Sequence, residues 1–219
     1  MDNYIEKISI CIQKGKINMD SPYPPDMKGL PGADELTGEA LKNGVKANEI
    51  LTGAMIPAMG IVGELFKDKK LFVPQVLMSA KAMNSALVHL RPYFTSGEIK
   101  RRGTFIIGTV AGDLHDIGKN LVSMMIEGSG WDVIDLGVDV KSEQFLEAVK
   151  SNPNAVLGMS ALLTTTMESM EKSVRQIRES YPDLKILVGG APLNSEFAKR
   201  IGANLYAPNP QVAVEFLNS

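Results

Sequence analysis

The sequence predicts an α/β chain of two domains: a four-helix bundle, then a five-stranded parallel sheet with helices on both faces. Three observations carry this reading. Apolar residues recur at helical spacing up to about residue 92. After residue 103, short apolar runs alternate with amphipathic segments. Between them, 93–103 (YFTSGEIKRRG) is polar and without apolar period, as expected of a linker. The expected domains are therefore 1–92 and 104–219, joined by 93–103.

Short helices are expected at about 3–14 and 34–43. The loop between them, 18–32, holds four prolines and two glycines and reads as a surface insertion. From Ile50, the positions Leu51, Ala54, Met55, Ala58, Ile61, Val62 and Leu65 follow spacings of three and four, one buried face of a third helix. Val76, Leu77, Ala80, Met83, Leu87 and Leu90 repeat the pattern in a fourth. Pro74 suits its first turn, where the missing N–H has no intrahelical partner, and Pro92 is expected to stop it. Strands are expected at 104–110, 131–136, 155–159, 184–188 and 203–206, and helices at 118–129, 142–150, 166–180, 194–201 and 210–218. In such a sheet ligands bind beyond the carboxyl ends of the strands, so the loops after strands one, three and four should hold the site.

Composition narrows the function. The chain carries 23 Lys+Arg against 25 Asp+Glu, with 44% hydrophobic and 22% charged residues, which excludes wholesale disorder and a generally basic nucleic-acid binder. The longest charge-free stretch, 151–167, includes asparagines, a proline and threonines, so no transmembrane helix is expected. The opening Met1-Asp2-Asn3-Tyr4-Ile5-Glu6-Lys7 has no long apolar run, which argues against an export signal and for a cytoplasmic protein. Cys11 is the single cysteine, so neither an internal disulfide nor a multi-cysteine zinc site is available. Only His89 and His115 supply imidazole, and His89 reads as a solvated residue near a helix end.

The loop after the first strand reads Gly108-Thr109-Val110-Ala111-Gly112-Asp113-Leu114-His115-Asp116-Ile117-Gly118-Lys119-Asn120. Its glycines fit neither a Walker phosphate loop nor the G-x-G-x-x-G fingerprint. It offers instead an imidazole flanked by carboxylates. Asp113 is placed to hold one ring nitrogen of His115 while the other faces a ligand. One imidazole alone binds a free metal ion poorly, but serves well as an axial ligand when a cofactor supplies the other donors.

Asp113-Leu114-His115-Asp116-Ile117-Gly118 matches D-x-H-x-x-G, Ser160-Ala161-Leu162 matches S-x-L, and Gly189-Gly190 matches a GG pair. In that order and at similar spacing, these resemble the cobalamin-binding, flavodoxin-like (Rossmann-type) domain. The first half, through Gly60-Ile61-Val62-Gly63-Glu64-Leu65-Phe66 and 71–83, is similar to the helical cap of methyl-carrying cobalamin proteins, including the cobalamin module of methionine synthase. With cap, linker and cofactor domain only, the chain resembles the stand-alone corrinoid proteins of methanogens and acetogens. The Pro-rich segment 18–32 is the main departure.

The resemblance implies a cobalamin or related corrinoid bound base-off and His-on, with His115 on cobalt and the displaced nucleotide tail in a slot lined by Ser160, Gly189 and Gly190. It implies that Asp113 and Thr166 form a relay behind His115, and that Gly112, Leu114, Asp116, Gly118, Leu162, Thr164 and Ala207 contact or frame the cofactor. It also implies that Phe66 and Val73 of the cap cover the upper face. The implied cycle alternates Co(I) with methyl-Co(III). The implied partners are a substrate-specific methyltransferase, a second methyltransferase using tetrahydrofolate or a thiol acceptor, and a reductive activating protein. No general acid/base pair or activated nucleophile for processing a substrate is evident, so a carrier subunit is expected rather than a complete enzyme. A cobalamin-dependent sensor or regulator, or a storage protein, is the competing class.

Overall fold

The computed structural model describes residues 3–219. Met1 and Asp2, which open the segment read against an export signal, lie outside the described residues. The chain divides into two compact units. One takes the described residues up to Arg101 with Gly128–Gly130, and the other takes Arg102–Glu127 and Trp131–Ser219.

The first unit is built from four helices: α1 (Tyr4–Lys14), α2 (Ala33–Lys42), α3 (Ala47–Lys67) and α4 (Val73–Thr95). Asn3 caps α1 by accepting the Glu6 N–H (3.2 Å), and Gly15 ends it in the left-handed region at φ 72°. Leu51–Met55 form a π-helical stretch inside α3. The apolar face of α3 (Ile50, Leu51, Ala54, Met55, Ala58, Met59, Val62) is buried, with Ile8 and Ile12 of α1 and Val76, Met83 and Leu90 of α4. Among the described residues α3 is the one helix long and apolar enough to cross a membrane, and its apolar face is buried within the unit. Glu49 and Glu64 interrupt its apolar run.

Three sequence expectations need correction here. Pro92 does not stop α4. It removes one intrahelical hydrogen bond, but the Ser96 N–H closes the next turn on the Pro92 carbonyl (2.9 Å), so the helix runs on to Thr95. The polar segment 93–103 thus begins inside a helix, and further on it buries Ile99 and stacks Arg101 on the Phe94 ring, 4.1 Å from its centroid. His89 is not a free surface residue: its Nε2 lies 2.6 Å from Asp34 Oδ1, joining α4 to α2. The Pro-rich loop is tethered at both ends. The Glu35 carboxylate accepts the N–H groups of Met19 (2.8 Å) and Gly32 (2.8 Å), and the fully buried Lys16 donates to the Ser21 carbonyl (2.9 Å).

The second unit holds β1 (Thr104–Thr109), α5 (Ile117–Gly128), β2 (Asp132–Asp135), α6 (Ser142–Ser151), β3 (Val156–Ser160), α7 (Met167–Ser180), β4 (Ile186–Gly189), α8 (Ser195–Ile201), β5 (Leu205–Tyr206) and α9 (Pro210–Leu217). All pairings are parallel, in the order β2-β1-β3-β4-β5. The chain leaves β1 toward β2 and then crosses to the other side, so the topological switch lies between β1 and β3. Strand alternation divides the side chains between the two faces. Ile106, Leu157, Met159, Ile186 and Val188 pack with Phe145 and Val149 of α6, Val174 and Ile177 of α7, and Phe197 and Ile201 of α8. Phe105, Ile107, Gly158, Ser160, Leu187 and Gly189 face the opposite way, toward α5 and α9.

Phe145 fills the centre of the first of these faces and uses the space over Gly108, where a Cβ would come within 2.9 Å of its ring. Truncation leaves a cavity the parallel sheet cannot close. Phe145→Ala should therefore lower the unfolding free energy of the sheet unit by about 3–5 kcal/mol in a urea titration.

Candidate cofactor site at the carboxyl ends of the strands

Beyond Thr109 the chain turns at Gly112 (φ 82°) and runs to the first turn of α5, so Asp113 and His115 stand where β1 meets β3. Asp113 is 0% exposed, whereas the His115 side chain is 51% exposed. His115 Nδ1 lies 2.7 Å from Asp113 Oδ1, which also accepts the His115 backbone N–H (3.1 Å). Asp113 Oδ2 accepts from the N–H of Leu162 (2.7 Å), the N–H of Leu163 (3.2 Å) and the Thr166 hydroxyl (2.8 Å). Burial alone would raise the Asp113 carboxyl. The Leu162 amide, the His115 ring and amide and the Thr166 hydroxyl outweigh it and hold the group well below the usual carboxylate range. An ionised carboxylate only accepts, so Nδ1 carries the proton and the Nε2 lone pair is left to face a ligand.

Around this imidazole the surface is apolar. Leu114, Ile117, Val138, Leu162 and Leu163, from the loops after β1, β2 and β3, are the exposed large hydrophobics of the sheet unit among its described residues. Their clustering at one end of one sheet marks a binding face. A cavity of about 480 Å³ opens there and reaches between the sheet and helices α5 and α9. Small residues make its room. Gly190 sits at φ 139°, and a Cβ there would collide with the Ala161 carbonyl, while one on Gly189 would come within 3.3 Å of the Ala207 carbonyl.

The structure brings most of the expected site residues together. Leu114, His115, Asp116, Gly118, Ser160, Leu162, Gly189, Gly190 and Ala207 line the cavity. Gly112 shapes the turn, and Thr166 stands behind His115 on the buried carboxylate. Thr164 opens the 3-10 turn before α7, is exposed and does not line the cavity. Phe66 and Val73 belong to the helical unit, near the end of α3 and at the start of α4.

Sequence reasoning passed over several contributors. The buried Thr109 hydroxyl donates to the His115 carbonyl (3.0 Å). Lys119, 3% exposed, lines the cavity, pairs with Asp135 and donates to Asn120 (2.7 Å). Tyr206 and Asn209, after β5, complete the lining. Thr109 and Lys119 flank the D-x-H-x-x-G run and were open to view, but the backbone donors of Leu162 and Leu163 leave no side-chain signature.

Among the described residues no three His, Cys, Asp or Glu side chains gather to hold a metal ion. The donor set is one oriented imidazole under an apolar rim with a cavity beside it. That fits a metal whose remaining ligands arrive with a large, flat apolar cofactor, and a corrinoid with a displaced nucleotide tail meets both requirements.

Asp113→Asn would turn one acceptor into an NH2 group that faces donors. It should cost about 1–3 kcal/mol of sheet-unit stability at neutral pH. The folded-state carboxyl titrates below its unfolded counterpart, so this contribution is present above about pH 4 and fades as the pH falls below it. Urea midpoints of wild type and Asp113→Asn should converge on acidification, and a gap independent of pH would contradict this reading.

Comparison with known proteins agrees with this geometry. Residues 103–214 match the B12 binding domain, and residues 31–91 match a second B12 binding domain that covers most of the helical unit. The chain is 38% identical over 172 residues to dimethylamine corrinoid protein 3 of Methanosarcina acetivorans, covering 78% of this chain and 81% of that protein. It is 38% identical over 186 residues to the trimethylamine corrinoid protein of Methanosarcina barkeri, covering 83% and 86% respectively. Among solved structures, the methanol:cobalamin methyltransferase complex MtaBC of Methanosarcina barkeri aligns at TM-score 0.80 and 28% identity, over 100% of this chain and 81% of that one. A cobalamin-binding protein of Desulfitobacterium hafniense aligns at 0.75 and 25%, over 98% and 97%. This chain belongs to the B12-binding corrinoid proteins.

Proposed function

We propose that this protein carries a methyl group on the cobalt of a bound corrinoid, taking it from a substrate-specific methyltransferase and yielding it to a second methyltransferase. The observation that carries the proposal is the Asp113–His115 pair, with Nε2 directed outward beneath the apolar rim and a cavity alongside. When bound, the corrinoid supplies a cobalt centre that accepts a methyl group in its Co(I) state and releases it from its Co(III) state.

The chain's own residues set the conditions for that exchange. His115 Nε2 would be the protein's ligand to the cobalt of the bound corrinoid, in place of the cofactor's own base. Ser160, Gly189, Gly190 and Ala207 leave room for the displaced nucleotide tail. Leu114, Ile117, Leu162 and Leu163 keep water from the lower face of the macrocycle. Asp113 fixes the tautomer and orientation of His115, and Thr166 tethers Asp113. The buried Asp113 carboxylate, held by the Thr166 hydroxyl, would keep the His115 Nδ1 proton in place and so tune the basicity of Nε2 toward a bound metal.

The protein is the carrier of a multi-component system and works in the cytoplasm. The relatives' names point to methylamines or methanol as the methyl source, delivered by a dedicated methyltransferase. The second methyltransferase passes the methyl to tetrahydrofolate or to a thiol. Because Co(I) is lost by oxidation, a reductive activating protein belongs to the same system.

The test is retention of hydroxocobalamin by the purified apoprotein, followed by methylation of the reduced, loaded protein with candidate methyltransferases and donors. Wild type should retain cofactor after desalting and accept a methyl from a methylamine or methanol system. His115→Ala should show an altered visible spectrum and bind about tenfold or more weakly. A well-folded wild type that retains no cofactor would refute the proposal. Retention without methyl transfer from any donor would favour a sensor or a storage protein.

A further inference from the structure

Asp139, in the loop after β2, is exposed, stands outside the D-x-H-x-x-G run and does not line the cavity. It is nonetheless one of two non-glycine residues with positive φ among the described residues, at 54°. Aspartate tolerates this region better than most side chains, but it still costs free energy unless local bonds offset it. Two such bonds are present. Asp139 Oδ1 accepts the Gly112 N–H (2.7 Å), and the Asp139 N–H donates to the Asp113 carbonyl (3.0 Å). The residue is gripped from both sides, since the Thr109 N–H donates to the Gly137 carbonyl (3.0 Å) and the Val140 N–H to the Thr109 carbonyl (2.9 Å).

The Asp113 side chain is tethered by its own loop through His115 and from the β3 side by Leu162, Leu163 and Thr166, with no side-chain bond to the β2 loop among the described contacts. Its backbone follows a glycine turn whose own closing bond, from the Asp113 N–H to the Val110 carbonyl (3.1 Å), stays within the β1 loop, so the turn still needs a hold from outside it. We propose that Asp139 is that hold, a positioning residue that fixes the Gly112–Asp113 peptide from the β2 side and so sets the direction in which His115 presents Nε2. The inference rests on the axial role proposed for His115. It assigns to the β2 loop a part in positioning His115, exerted through the Gly112–Asp113 peptide.

Three substitutions separate the possible causes. Asp139→Asn keeps an acceptor for Gly112 and tolerates positive φ, but removes the charge. Asp139→Gly removes the acceptor and relieves the backbone, so it folds whatever the strain. Asp139→Ala removes the acceptor and keeps the strain. Each protein, grown with 15N-labelled histidine, is loaded with hydroxocobalamin, reduced to Co(II), and examined for the two-line electron paramagnetic resonance splitting of a histidine nitrogen, distinct from the three lines of the cofactor's own base, and for the dissociation constant. Asp139→Gly and Asp139→Ala should lose most of the histidine-ligated fraction and bind about tenfold more weakly. Asp139→Asn should stay within about twofold of wild type, because the acceptor survives. Wild-type ligation in Asp139→Gly, or a loss in Asp139→Asn as large as in Asp139→Ala, would overturn the proposal. His115→Ala is the control: if it keeps the two-line histidine splitting, the role of His115 fails, whereas if it loses that splitting while Asp139→Gly does not, only the role of Asp139 fails.

Discussion

A single buried carboxylate organises this site. Asp113 has no exposed surface, and a charge so placed is tolerated only because five donors converge on it: the ring and amide of His115, two consecutive amides after β3, and the Thr166 hydroxyl. The same bonds that keep it ionised orient the imidazole. His115 is therefore neither a loosely held surface residue nor a core residue. It is half-exposed, with one nitrogen committed and the other available.

The sheet explains why those donors can meet. In a parallel sheet the loops that follow neighbouring strands emerge at the same end, and the switch between β1 and β3 leaves a crevice with no crossover helix over it. The loop after β1 supplies the acid and the imidazole, the loop after β3 supplies the amides, and the loops after β4 and β5 supply small residues and the far wall of the cavity. Gly158, Gly189 and Gly190 keep that wall thin, and the side chains on the opposite face of the same strands form the unbroken core around Phe145.

What could be read from the sequence follows from how local each signal is. The β-α alternation, the Asn3 and Pro74 helix starts and the D-x-H-x-x-G run are short-range patterns, and they reappear with bounds shifted by a residue or two. Strand order is a long-range property without a local signature. Features that rest on backbone groups were hidden too: the Leu162 and Leu163 amides, the positive φ of Asp139 and the π-helical stretch in α3. Residue type alone does not decide Pro92 and His89: a surviving i to i+4 hydrogen bond carries the helix past the first, and a cross-helix carboxylate engages the second.

The central claim is that the axial nitrogen on cobalt comes from a histidine of this chain and not from the cofactor's own base. Growing the protein with 15N-labelled histidine, loading it with unlabelled cobalamin and recording the Co(II) electron paramagnetic resonance spectrum tests it directly. A nuclear spin of one splits each line into three and a spin of one half into two, so the account predicts that labelling converts triplets into doublets. Triplets that persist in the labelled protein would place the cofactor's own benzimidazole on cobalt and contradict the account.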